Sequence, residues 1–566
     1  PFYNEADAEI VNPVFNDAWG DVSDDSLQEQ TYSRSISQVT ATWWNDTFWE
    51  DWNNDGVPET LCHTTVGVFW FDSDGIPGPE RIILVRTKHC SQDRDGDGHD
   101  DLFFTRFRGL DMVDQNSDGI PERHDVLTRV VWTWDNGTYE DVNIYLFVHA
   151  RTDADQDGNL ERRVVLNRQQ RMVDQGIGAV LTAYFSHSRF ILRVDSNDDG
   201  TPERWMAIDH TSWIWDPTED GNADRHRDNL RAVVRKDTNQ DGSVDVIRAL
   251  HQNTVQFDND SNGVIELQWT WRAGVLKVDT DHDGDLDYTA RMHGWHQHWD
   301  WGMVEYHIHR FALTRISDHD TDGIPEWKQR IIHMSNATDW DFDHHLEQRE
   351  SYTAALTWSD ADEDGYEEHI FRRVRETTYL DQHAHGWSHQ SESTHSVEIW
   401  RDSNHNLHAK RVVVIDLSSW DNNSDGSPDT YNYLSRTWRA ADFDQDDFLE
   451  RRVFHRHYMA ARDDNADGNV SFAVNSNIWH ARNLSLSPSG NIDVLQEAYL
   501  SHRVFEWNIN SQGHAYHTNN TWIAFHVDYV TNTVQGLIVS VITIDSDQDG
   551  TPESQTITTG NSGNPP

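Results

Sequence analysis

The apolar residues of this 566-residue chain fall in short alternating runs, and the runs recur at a fixed interval. One run reads Val130-Val131-Trp132-Thr133-Trp134, with Trp132 and Trp134 flanking a polar Thr133. Others end on Trp213 and Trp215, on Val255 and Phe257, and on Leu276 and Val278. Successive side chains of a strand point to opposite faces, so β-branched and aromatic residues alternating with polar ones predict half-buried β-strands. Arg272-Ala273-Gly274 and Met292-His293-Gly294 fall midway through their repeats and read as return turns. One repeat is thus expected to be loop, strand, tight turn, strand. The predicted fold class is all-β: tandem hairpin repeats of about 21 residues in a solenoid-, spiral- or shell-like array, with a β-propeller of two repeats per blade as the alternative.

Acidic loops punctuate the runs. From residue 195 to 299 they open at Asp195, Asp216, Asp237, Asp258 and Asp279, each 21 residues after the last. The full pattern has an oxygen-bearing side chain at positions 1, 3 and 5, glycine at 6 and an acid at 9, and it occurs twelve times. In the first third of the chain these residues are Asp51, Asn53, Asp55 and Glu59; Asp93, Asp95, Asp97 and Asp101; Asp114, Asn116, Asp118 and Glu122; and Asp153, Asp155, Asp157 and Glu161. The middle third has Asp195, Asn197, Asp199 and Glu203; Asp237, Asn239, Asp241 and Asp245; Asp258, Asp260, Asn262 and Glu266; and Asp279, Asp281, Asp283 and Asp287. The last copies are Asp318, Asp320, Asp322 and Glu326; Asp360, Asp362, Asp364 and Glu368; Asp421, Asn423, Asp425 and Asp429; and Asp545, Asp547, Asp549 and Glu553. Degenerate copies open at Asp216, Asp339, Asp442 and Asp463. Two steps, Asp114 to Asp153 and Asp279 to Asp318, span 39 residues, as two units with a small deletion would.

Alternate oxygen ligands closed by a ninth-position acid suit a hard cation, and glycine permits the sharp turn. Asp/Gly turns that bind nothing would explain the glycine but not the recurring acid, since carboxylates this crowded repel one another. The expected cofactor is calcium, in multiple ions. The loops resemble the Asp-rich DxDxDGxxD calcium loops of FG-GAP/VCBS repeats and are similar to thrombospondin type 3 repeats. By period alone, the hairpin unit also resembles Rhs/YD repeats, which implies a β shell.

Composition narrows the function. The formal charge is −52, and filling twelve loops with divalent cations would bring it to roughly −28. Nucleic acid and anionic membranes need basic patches, so neither is an expected partner. Apolar content is only 36%, yet 26 Trp, 21 Phe and 16 Tyr set the chain apart from disordered sequences. No run approaches the ~20 apolar residues of a membrane span. Cys62 and Cys90 are candidates for a disulfide. Sequons at Asn45, Asn136, Asn336, Asn422, Asn469, Asn483 and Asn519 fit a secreted glycoprotein.

The layout reads as an N-terminal arm and first strands over 1–50, the calcium-loop array over 51–483, and degenerate repeats or a capping β domain over 484–566. A second constellation is His296, His298, His307 and His309 with Glu305, flanking a tight turn that would set His296 against His307. It suits zinc or copper, a pH switch, or simply a solvated face. No nucleophile motif or phosphate loop stands out, so no enzymatic activity is expected. The expected function is a calcium-stabilised extracellular structural protein: a surface, sheath or filament subunit, or an adhesin. Its partners would be copies of itself or surface glycans and proteins, and the alternative is a secreted glycan- or protein-binding module.

Overall fold

The computed structural model describes residues 30–36, 39–51, 56–72, 78–137, 139–175, 181–300, 305–340, 346–382, 387–401, 406–422, 428–442, 450–463, 471–486, 492–507, 515–528, 533–545 and 554–561. Over these residues the protein is all-β, with 27 strands from β1 (Gln30–Ile36) to β27 (Ser554–Asn561). It divides into two compact units, Pro1–Gly221 and Asn222–Pro566, which carry β1 to β10 (Arg204–Trp215) and β11 (Arg225–Lys236) to β27 respectively.

Within each unit every strand pairs antiparallel with the strand before it and the strand after it. The pairing runs over the full strand length. For example, β12 (Val246–Phe257) pairs with β13 (Leu267–Val278) from Val246↔Val278 to Phe257↔Leu267, without a slip. No described pairing joins strands distant in sequence, so each sheet is open. Blades of four strands would interrupt this ladder every fourth strand, so the propeller alternative does not hold. Beyond residue 484 the ladder continues unbroken: β23 (Phe472–Leu486) pairs with β24 (Ile492–Trp507), and pairing proceeds to β27.

The repeat itself differs from the expected one. Each 21-residue period holds one strand of 12 or 13 residues and one loop, so a hairpin takes two periods. Gly274 and Gly294, expected in return turns, lie inside β13 and β14 (Tyr288–Asp300), where they pair with Leu250 and Arg272. Glycine suits Gly274 because a Cβ there would stand 3.0 Å from the Met292 side chain. Since each strand reverses direction, consecutive loops lie at opposite sheet edges, and loops two apart are neighbours. The 39-residue steps arise where a four-residue segment replaces the nine-residue loop, at 136–139 and 301–304.

Among the described residues, neither sheet face is covered by a second layer. Residues of both alternating sets in β10 and β12 are half-buried. The strands are held instead by backbone ladders and cross-strand pairs such as Phe104–Trp132, whose centroids are 4.4 Å apart. Buried apolar side chains are few: Cys62, Val66, Val68, Cys90, Leu102, Val173, Ile308 and Ala440. Cys62 and Cys90 stand opposite each other in β3 (Thr60–Phe71) and β4 (Arg81–Gln92) and form a disulfide. Apart from Thr60, the most completely buried side chains are loop aspartates: Asp195, Asp245, Asp258, Asp279, Asp339 and Asp442.

Candidate metal centres

The loops build themselves from local hydrogen bonds. Oδ2 of the first Asp accepts the N–H of the sixth-position glycine, as in Gly98 to Asp93, Gly119 to Asp114, Gly242 to Asp237 and Gly365 to Asp360, at 2.8 to 2.9 Å. Residue 5 accepts the N–H of residue 7, as in Thr201 to Asp199 and Ser243 to Asp241. The ninth-position acid reaches back to the N–H of residue 2: Gln115 to Glu122, Ala154 to Glu161, Ser196 to Glu203 and Thr280 to Asp287. Backbone donors thus fix one oxygen of most of these carboxylates and aim the rest inward.

Those remaining oxygens converge. One oxygen from each of Asp360, Asp362, Asp364 and Glu368 lies within 4.8 Å of all the others. Oxygens that share a calcium at about 2.4 Å can be no more than about 4.8 Å apart. Asp93, Asp95 and Asp101 cluster in the same way, as do Asp153, Asp155 and Asp157. At five loops the same atom, Oδ1 of the first Asp, is buried with no hydrogen-bond partner: Asp51, Asp153, Asp195, Asp318 and Asp360. Asp195 is 0% exposed and neither of its oxygens is hydrogen-bonded; the nearest cation, the Arg193 guanidinium, is 3.8 Å away.

The electrostatics follow from this crowding. Burial, then Glu203 and Asp199, push the Asp195 carboxyl above its ordinary value. Burial, then Glu326 and Asp322, do the same at Asp318. Burial and the Asp155 carboxyl push Asp198 up to about 6. At Asp245 burial works in the same direction, but donors on Thr238, His282 and Asn239 outweigh it and hold the carboxyl down at about 2.

Neighbouring loops at one edge are stitched together. The N–H of the first Asp donates to the carbonyl of position 9 two loops earlier: Asp195 to Glu161, Asp258 to Asp224, Asp279 to Asp245 and Asp360 to Glu326, at 2.8 to 2.9 Å. Position 4, which the sequence pattern leaves unassigned, supplies a second stitch. It adopts a left-handed backbone in ten loops; nine of these residues carry side chains, including Gln156, Ser261 and His282, and the tenth is Gly96. Ser261 donates to Asp224, His282 Nδ1 is 2.9 Å from Asp245 Oδ1, and Gln156 donates to the Ile120 carbonyl at 2.6 Å. A left-handed side-chain-bearing residue costs about 1–2 kcal/mol, so its recurrence marks a demanded geometry. The signal was present as a polar fourth position in every full loop except the one that carries Gly96.

The degenerate loop at Asp216 has the same geometry. Gly221 donates to Asp216 at 3.1 Å, Thr218 hydrogen-bonds Asp216, and Glu219 is left-handed. Counted from Asp216 along the sequence, Asp224 stands at position 9, a residue the sequence reading omitted. Of the expected ligands, Asn53, Asp55, Asn423, Asp425, Asp547, Asp549 and Glu553, and the side chain of Asp545, lie outside the described residues.

The histidine cluster also forms, with a shifted register. In β14 and β15 (Glu305–Ser317), His298 faces His307 and His296 faces His309, rather than His296 facing His307. The His298 and His307 rings stack with centroids 4.4 Å apart, and both Nε2 atoms approach Glu305 Oε1, at 3.0 and 2.7 Å. Burial, then neighbouring imidazoles, lower the pKa of His296 and His298.

No protein-family model matches this chain, and a search of curated proteins finds no match either.

Proposed function

We propose that the chain is a calcium-stabilised extracellular structural protein whose repeats are locked by ions rather than by an apolar core. The observation that carries this reading is the buried, unpartnered Oδ1 at the head of five loops. A buried carboxylate oxygen without a donor is costly, and a cation ringed by its neighbours removes that cost. The resemblance to FG-GAP/VCBS and thrombospondin type 3 calcium loops supports the choice of ion. The Cys62–Cys90 disulfide supports an oxidising compartment, where millimolar calcium suits loops of this kind.

Assembly into a surface layer, sheath or filament is the second part of the proposal. Among the described residues β1 pairs only with β2 (Val39–Glu50), and β27 only with β26 (Thr533–Asp545). In each, the described pairing uses one backbone edge, and the second edge of a strand is of the kind that templates head-to-tail pairing. The glycan-binding alternative finds less support, because among the described residues the exposed Trp49, Trp269, Trp340 and Trp420 are far apart along the chain.

Equilibrium dialysis followed by thermal melting tests the ion requirement. Native protein should bind many calcium ions per chain, and stripping them should lower the melting temperature sharply, since each site at 100 times its Kd adds about 2.7 kcal/mol. Unchanged circular dichroism and melting after calcium removal would end the proposal. Negative-stain images with and without calcium address assembly: polymers seen only with calcium are expected, and monodisperse particles in both would discard the filament part.

A further inference from the structure

We propose that His298, Glu305 and His307 form a site for a borderline divalent transition metal, zinc by preference, chemically distinct from the oxygen-only loops. Three features carry it. First, one atom from each residue lies within 4.8 Å of the other two; His298 and His307 face each other across β14 and β15, and Glu305 stands two residues before His307 on the same side of β15. Tetrahedral zinc with ligands at about 2.0–2.1 Å places them about 3.3 Å apart. The two imidazole-to-carboxylate separations, 3.0 and 2.7 Å, lie just inside that value, so small outward movements admit the ion.

Second, His298 Nε2 is buried and makes no aligned hydrogen bond, although Glu305 Oε1 is only 3.0 Å away. Its lone-pair direction therefore points beside the carboxylate rather than at it. His307 Nε2, by contrast, hydrogen-bonds Glu305 Oε1 at 2.7 Å, and an arriving metal would take the place of the proton in that bond. Third, the donor set is selective. Two imidazoles and one carboxylate match zinc sites that keep a fourth position for water, whereas calcium takes six to eight oxygens and gains little from nitrogen. Of the three, His307 borders an open cleft of ≈ 690 Å³ that is also lined by His296, His309, Glu350, Tyr379 and Glu392. Such a site would clamp β14 to β15 and present an exchangeable coordination position to a small anionic or nitrogenous ligand.

The experiment uses the full chain, free of any polyhistidine tag, in millimolar calcium so that the carboxylate loops are occupied. Zinc is titrated by calorimetry into wild type, His298→Ala/His307→Ala and Glu305→Gln. The double variant should bind one zinc fewer per chain, and Glu305→Gln should weaken that site about tenfold or more. A control, His455→Ala/His457→Ala, removes another histidine pair, in which each ring contacts an Asn. It should leave the stoichiometry unchanged. Equal zinc stoichiometry in wild type and the double variant overturns the proposal. Should the variants misfold, cobalt(II) added to wild type decides. Strong visible absorption typical of four-coordinate cobalt with nitrogen ligands supports the site, and only the faint bands of octahedral cobalt overturn it.

Discussion

Asp195 and His282 show how much of this protein's behaviour resides in single loop positions. Asp195 is wholly enclosed and lacks a hydrogen-bond donor, so its charge favours folding only if a cation sits beside it. Asp195→Asn keeps the shape and removes the charge. In calcium it should bind one ion fewer and melt lower, by about 2.7 kcal/mol of lost linkage when calcium is 100-fold above Kd. Without metal it should melt at or above wild type. A variant destabilised equally in both conditions would show that the carboxylate acts through ordinary contacts. The loop positions whose oxygens converge were legible in the sequence because a hard cation would restrict them to oxygen-bearing side chains. Position 4 was not: His282, Ser261, Gln156 and Glu219 share no side-chain type, only a left-handed backbone and a polar end that reaches the adjacent loop. A residue chosen for its reach leaves no pattern of identity.

Strands were legible as a class, but their extent was not. Globular strands are typically five or six residues long, so a glycine in the middle of a run reads as a turn. Here β13 and β14 run straight through Gly274 and Gly294. In a single-layer sheet a strand makes most of its contacts within its own ladder, and length compensates for the missing second layer. The same logic predicts how damage spreads. Because strands within a unit contact only their sequence neighbours, stability should be additive and local, as in a one-dimensional array. Replacing both members of the Cys62–Cys90 bridge by Ser should cost about 2–4 kcal/mol, the usual value for closing a loop of this order. Hydrogen exchange should accelerate in β2 to β5 (Leu102–Val113) and remain unchanged at β15 to β17 (Gln348–Ser359). Uniform acceleration across the chain would mean a more cooperative molecule than the contacts describe.

Across the whole molecule, acidity and calcium should oppose each other in a way that can be read from pH. In metal-free protein several loop carboxylates hold protons more tightly when folded than when unfolded. Asp198 is pushed up to about 6, while Asp195, Glu266, Asp318 and Glu368 are also raised, chiefly by burial. A folded state that binds more protons than the unfolded one gains stability as pH falls. His282, raised by its hydrogen bond to Asp245, works in the same direction, since its contribution is present below 6.5 and fades as pH rises through its folded value. Asp245, at about 2, and Asp111, held low by Arg81, oppose this only below about pH 4, where the unfolded carboxylates take up protons. The loop carboxylates and His282 should therefore stabilise the metal-free chain as pH is lowered from 7 towards 5, while His124, His149, His251, His296, His298, His309 and His389, lowered chiefly by burial, oppose them equally with and without calcium. With calcium bound the sign reverses, because ions and protons compete for the same oxygens and ligation requires the deprotonated form. Melting temperatures between pH 5 and 8, measured in millimolar calcium and on metal-stripped protein, should diverge as pH rises, because the histidine contributions are common to both series and cancel in their difference. Stripping should precede the pH series, since chelators weaken in acid. Two parallel curves would mean that the loop carboxylates are neutralised by something other than a bound cation, and with that the account of a −52 chain built on ions would fail.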